Sequence, residues 1–218
     1  MFPHQLLEMK RLIIFFSTIL ILFSCATNNK SDNAALQLAV NDYKQGDFIT
    51  CQSKLQDYTK KFPDDYQGWS FLGTVALELE NDSLAKVVLN KAVSLNSKDF
   101  KALTGLGMLE RKNKNFDKAA DYYNKAISIN PGYGKAYSSL LIIELKRNNF
   151  NKALELGETA AKLDPEDLGI KGNLSVAYHF TKQYDKRDSL IKEITEKGYP
   201  YVGYLQLFFN GTATLDDL

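Results

Sequence analysis

The sequence predicts an all-α protein, a solenoid assembled from helical hairpins. Three observations point there: apolar residues three and four apart, a repeat length of 34 residues, and proline recurring near the end of the repeat. The composition agrees. Of the 218 residues, 44% are hydrophobic and 24% charged, ordinary for a folded chain and too apolar for a disordered one.

The chain opens on an address. Lys10 and Arg11 form a positive stretch, and Leu12 to Phe23 form an apolar run. As a helix this run reaches only about 18 Å, whereas a bilayer core of roughly 30 Å needs about twenty residues. Residues 1–24 therefore read as a signal peptide, for which Met9 makes the better start because Glu8 would put an acid before the positive stretch. The run ends Leu22-Phe23-Ser24-Cys25, which resembles the lipobox of bacterial lipoproteins. The resemblance implies cleavage before Cys25 and a diacylglycerol thioether on its sulfur, two acyl chains that suffice for stable anchoring. Ala26 in place of an Asp implies the outer membrane, with the periplasmic face favoured and the cell surface left open. Residues 25–31 are small and polar, a flexible tether.

From Asp32 the chain falls into five consecutive units, 32–65, 66–99, 100–133, 134–167 and 168–201. Their seventh position is Leu38, Leu72, Leu106, Leu140 and Leu174; their eighth is Ala39, Gly73, Gly107, Leu141 and Ser175. The twentieth is Cys51, Ala85, Ala119, Ala153 and Arg187. Each unit predicts two helices joined by a short polar turn such as Asn113-Lys114-Asn115. Small residues at the eighth and twentieth positions let the two helices approach, and Pro63, Pro131 and Pro165 end the second helix. In the fourth unit Leu141 stands where a small residue belongs and Gly157 where a large one does, a volume-conserving exchange. The outer units depart from the pattern, with Asp42 in the first and Lys171 and Arg187 in the last. Residues 202–218 read as a short capping helix followed by a loose tail after Asn210.

This pattern is similar to the tetratricopeptide repeat, over about four-fifths of the chain, with Trp69-x-x-Leu72-Gly73 in the family's usual form. The resemblance implies a right-handed superhelix whose first helices line a concave face that binds other proteins. Carried onto this sequence, the implied groove residues are Thr74, Leu77, Met108, Arg111, Lys112, Ile142, Leu145 and His179. Lys101, Lys135 and Lys146 join Arg111 and Lys112 in a basic flank. An apolar column beside a basic one suits an apolar, mildly acidic helix or extended peptide.

Other chemistries find no support. The net charge is +1, and without residues 1–24 the two signs balance at 25 each, so no basic field draws nucleic acid. His4 and His179 have no partners at metal-ligand spacing, and neither a phosphate-cradling glycine loop nor a Gly-x-Ser-x-Gly elbow occurs. Cys51 falls on a small core position and reads as a buried, inert thiol. The expectation is thus a non-enzymatic, cofactor-free adaptor of the bacterial envelope, tethered through Cys25 and binding other envelope proteins in its groove. A surface lipoprotein that captures carbohydrate is the alternative. Neither reading fixes an oligomeric state.

Overall fold

The computed structural model describes residues 34–215. The expected signal peptide, the tether and Cys25 lie outside these residues. The chain divides into two compact units, Met1–Pro63 and Asp64–Leu218.

The first unit holds one hairpin, α1 (residues 34–44) and α2 (Phe48–Lys61). Ala39, Cys51 and Leu55 close its core, Lys54 pairs with Asp42 at 2.7 Å, and Asp47 caps α2 by accepting from the Thr50 N–H. Leu38 is 55% exposed, although the leucines at the same repeat position elsewhere are buried. Leu106, Leu140 and Leu174 pack on the second helix of the preceding hairpin, as Leu140 does with Ala119 and Tyr123. The described residues contain no such hairpin ahead of Leu38.

The second unit runs α3 (Tyr66–Glu78), α4 (Asp82–Leu95), α5 (Phe100–Lys112), α6 (Phe116–Ile129), α7 (Gly134–Lys146), α8 (Phe150–Leu163), α9 (Leu168–Phe180), α10 (Tyr184–Glu196) and α11 (Val202–Phe209). Every first helix begins 34 residues after the previous one, as does every second helix. Even α11 keeps the period: it starts 34 residues after α9 and packs on it in the place of a further first helix. The apolar stripe expected at helical spacing is the one buried, with Leu72, Ala76, Ala85, Leu89 and Ala92 in one hairpin. Among the described residues there is no strand, and no helix is long and apolar enough to cross a membrane.

Local chemistry sets the helix ends. Asp65, Asp99 and Asp167 sit just ahead of α3, α5 and α9, and each carboxylate accepts an N–H of the first turn. Between the two helices of each hairpin one residue adopts the left-handed conformation: Gly46, Glu80, Lys114, Asn148 and Lys182, again 34 apart, with φ of 77°, 54°, 60°, 61° and 60°. Only the first is a glycine, so the polar turns carry some backbone strain.

Within a hairpin, a glycine on one helix faces a large side chain on the other. Gly73 lies against Leu89 and Gly107 against Tyr123, so close that a Cβ on either glycine would collide with the partner. The fourth unit inverts the pair, with the glycine, Gly157, on its second helix.

Successive first helices touch one another (α3 with α5, α5 with α7, α7 with α9), while each second helix packs on its own partner and on the next first helix. The first helices therefore present one continuous face. At its far end Lys171 is buried and ion-paired to Glu193, which Lys197 also reaches at 3.0 Å. The tail is not loose up to Leu215: this residue packs on the cluster around Leu141, Leu145 and Leu174.

Candidate functional site

Residues on the outward side of the first helices align in columns across the stack. Where α3, α5 and α7 meet, the columns enclose a hollow of about 300 Å³. Leu77, Met108 and Leu109 make its apolar part; Lys112, Lys114 and Lys146 stand at its edge with Asp82 and Phe116 from the starts of α4 and α6. Met108 is 38% exposed, a large apolar side chain presented to solvent. Four cationic side chains, counting Arg111, face a single carboxylate, so the hollow carries a net positive charge.

One recurring slot builds the edge. For α4, α6 and α8 the first residue of the second helix meets the last residue of the following first helix. In successive hairpins this pair is Asp82 with Lys112 at 2.8 Å, Phe116 with Lys146 at 5.5 Å from the ring centre, and Phe150 stacked on Phe180 at 4.9 Å. The same geometry thus holds an ion pair, a cation over an aromatic face and an aromatic stack. Asp82, through its hydrogen bond to Lys112 and then its charge, holds that ammonium above its ordinary pKa. Going along the stack the slot changes from polar to apolar, and the hollow lies on the polar side.

Arg111 has a second neighbour. Burial pushes the Tyr123 hydroxyl above its ordinary pKa, opposed by the positive charge of Arg111 nearby. The guanidinium therefore also lies close to the ring that fills the space beside Gly107.

Of the eight groove residues read from the sequence, the structure gathers Leu77, Met108, Arg111 and Lys112 in this hollow. The other four lie elsewhere. Thr74 sits one turn back along α3 and donates its hydroxyl to the Ser70 carbonyl at 3.2 Å. Leu145 is 1% exposed and Ile142 packs on the same core cluster, because this end of the stack closes over itself. His179 lies under α11, 5.2 Å from the Phe209 ring, and its Nδ1 accepts from Arg187 at 3.0 Å. An arginine only donates, so the ring proton sits on Nε2. Burial, then the charge of Arg187, keeps the imidazole below its usual pKa. Lys135 of the expected basic flank is 3.8 Å from Asp167, in a different hollow.

Four contributors escaped the sequence reading: Asp82, Leu109, Lys114 and Phe116. Asp82 and Phe116 start second helices, at a repeat position that phenylalanine fills in three of the five units. The neighbouring lysine one repeat on was the available signal.

In the first unit Cys51 is fully buried and its thiol donates to the Ala39 carbonyl at 3.1 Å. Burial, with the charge of Asp42 adding to it, pushes its pKa to about 11, so the thiolate form is scarce at neutral pH. Among the described residues no group of three or more His, Cys, Asp and Glu could hold a metal.

The sequence model of the tetratricopeptide repeat matches residues 100–133, the unit that contributes Met108, Arg111 and Lys112. The fold is a tetratricopeptide-repeat solenoid. Among solved structures, pilF of Pseudomonas aeruginosa is similar over 78% of each chain at 16% identity, with a TM-score of 0.64. TTC0263, a thermophilic repeat protein of Thermus thermophilus, is similar over 83% of this chain and 98% of its own, at 16% identity and a TM-score of 0.68. A tetratricopeptide repeat protein from Parabacteroides merdae is similar over 84% of this chain and 75% of its own, at 17% identity and a TM-score of 0.54. At such identities the likeness is one of fold. No curated protein sequence matches this chain. In tetratricopeptide-repeat terms the hollow belongs to the first-helix face of three adjoining repeats.

Proposed function

We propose that the chain is a lipid-anchored adaptor of a bacterial envelope that binds a segment of a partner protein on its first-helix face. Tetratricopeptide-repeat proteins act in general as scaffolds for protein–protein interaction. The observation that carries the reading here is the hollow: exposed Met108 and the apolar floor beside it, ringed by lysines that sit on the surface. An acidic segment with one or two apolar side chains satisfies both halves at once.

The anchor rests on the resemblance of Leu22-Phe23-Ser24-Cys25 to a lipobox, and Ala26, by resemblance to sorted lipoproteins, supports the outer membrane. Cys25→Ser should abolish incorporation of labelled palmitate and release the protein from the membrane fraction; palmitate incorporation unchanged by the substitution contradicts the anchor. The partner site is tested by Lys112→Glu with Lys114→Glu, which reverses two exposed charges and leaves Arg111, near Tyr123, unaltered. Affinity capture from solubilised membranes should lose the partner in the double variant, and undiminished capture overturns the placement. A carbohydrate surface has less behind it, since the one aromatic lining the hollow, Phe116, already faces Lys146.

A further inference from the structure

We infer that the first-helix face of α7 and α9 is a second half of the groove, covered by the chain's own residues 210–215 as a displaceable strap. The inference rests on the partner site proposed above and adds the kind of segment this half takes. That segment is extended, gives an apolar side chain to the α7–α9 cluster and offers a main-chain carbonyl to Lys146.

Equal repeat positions differ in burial along the face. On α3 and α5, Leu77 is half-buried and Met108 is 38% exposed. At the same two positions on α7 and α9, Leu145 and Val176 are 1% and 0% exposed. Both belong to the cluster on which Phe209 and Leu215 pack. Phe209 ends α11 against His179, near the end of α9. The N–H groups of Thr212 and Ala213 then donate to the Leu207 carbonyl at 2.8 Å, folding the chain back. At the far end the Leu215 carbonyl oxygen accepts from Nζ of Lys146, the last residue of α7, at 2.9 Å. The strap thus crosses from α9 to α7.

What holds the strap's end is what another polypeptide can also offer. An ammonium that grips a main-chain carbonyl accepts any residue there, and the cluster receives one aliphatic side chain. Gly211, Thr212 and Thr214 between them are exposed. Lys146 also lines the hollow between α3, α5 and α7, so a partner segment seated in the hollow meets the strap at this one ammonium. Being part of the chain, the strap acts at an effective concentration on the order of millimolar. A partner must displace it, and binds with an affinity lowered by the fraction of sites the strap holds.

The probe is a dye-labelled peptide of residues 210–215, Asn-Gly-Thr-Ala-Thr-Leu, ending in an amide. Leu215→Ser in the full chain vacates the place of the leucine. The peptide should bind this variant with a Kd about tenfold or more below that for the unaltered chain. A peptide that itself carries Leu215→Ser should bind neither. Far-UV circular dichroism checks that the variant keeps its helices. A second measurement uses the unaltered chain. The nuclear magnetic resonance signal of the Leu215 methyl groups, identified by its loss in the variant, should move to the position of an exposed leucine as the peptide saturates. Equal affinity for the two chains, no binding to the variant at millimolar peptide, or a Leu215 signal that stays in place while the peptide binds overturns the inference. These outcomes leave the partner site in the hollow standing, because capture by the Lys112→Glu, Lys114→Glu variant reads that site separately. Capture undiminished by those reversals removes the hollow and leaves the strap's result as it is.

Discussion

A Cβ added to Gly157 would stand 2.6 Å from Leu141 Cδ1 and 2.9 Å from Leu174 Cδ1. In the two preceding repeats the bulk lies on the second helix, as Leu89 and Tyr123, and the glycine on the first. The fourth repeat keeps the summed volume and swaps its owners, which close packing permits so long as no void or overlap results. Gly157→Leu should cost roughly 1–3 kcal/mol through overpacking, and Leu141→Ala roughly 2–5 kcal/mol through the cavity it leaves. Combined, the two should cost clearly less than their sum, because the new leucine fills the space the old one vacated. Urea melts of the four proteins measure this coupling; strict additivity contradicts the exchange.

The left-handed residue at each hairpin turn is a reservoir of strain. Lys182 holds φ of 60° and is exposed. Lys182→Gly should stabilise the protein by about 0.5–1 kcal/mol, the relief of the side-chain clash less the entropy glycine adds to the unfolded chain. Lys125→Gly, at an exposed position in the interior of α6, should destabilise it by about 1 kcal/mol. Thermal denaturation reads both, and equal effects at the two sites would refute the assignment of strain to the turn.

Glu144 is a carboxylate 1% exposed, held by Asn149 at 2.8 Å, Lys152 at 3.1 Å and Arg147 at 3.3 Å. Burial pushes its pKa up, but the hydrogen bonds from Asn149 and Lys152 and the charges of Lys152 and Arg147 outweigh that and hold it below the ordinary value. A lowered folded pKa stabilises the native state above the unfolded pKa of about 4.3, and the gain is lost as pH falls through the folded value. Glu144→Gln should therefore cost about 2 kcal/mol at pH 7, with the gap to the parent protein closing below about pH 4. A gap that widens on acidification contradicts this sign.

The period of 34 and the helical class were legible because packing between neighbours demands the same small and apolar residues at the same places in every hairpin. That Leu77, Met108, Arg111 and Lys112 share one face was legible for the same reason, since a residue's repeat position fixes the face it occupies. What could not be read was the closure of the far end. Leu145 and His179 hold the groove position by number, yet one is buried and the other lies beneath Phe209. Leu215 joins the core cluster that holds Leu145, a contact made between segments far apart in the chain and absent from the repeat pattern. Lys114 escaped for another reason: nothing in a polar Asn-Lys-Asn turn says that the left-handed bend carries its ammonium to the rim.

The claim on which this account turns is that a partner docks on the first-helix face between α3 and α7. A photo-crosslinking amino acid at position 108 addresses it in living cells, with position 87 as the control, since Val87 is 67% exposed on the second-helix side. Position 108 should yield one discrete adduct that disappears when Lys112 and Lys114 are reversed to Glu, and position 87 should yield none of it. The same adduct from both positions, or one at 108 that survives the charge reversals, would contradict the placement.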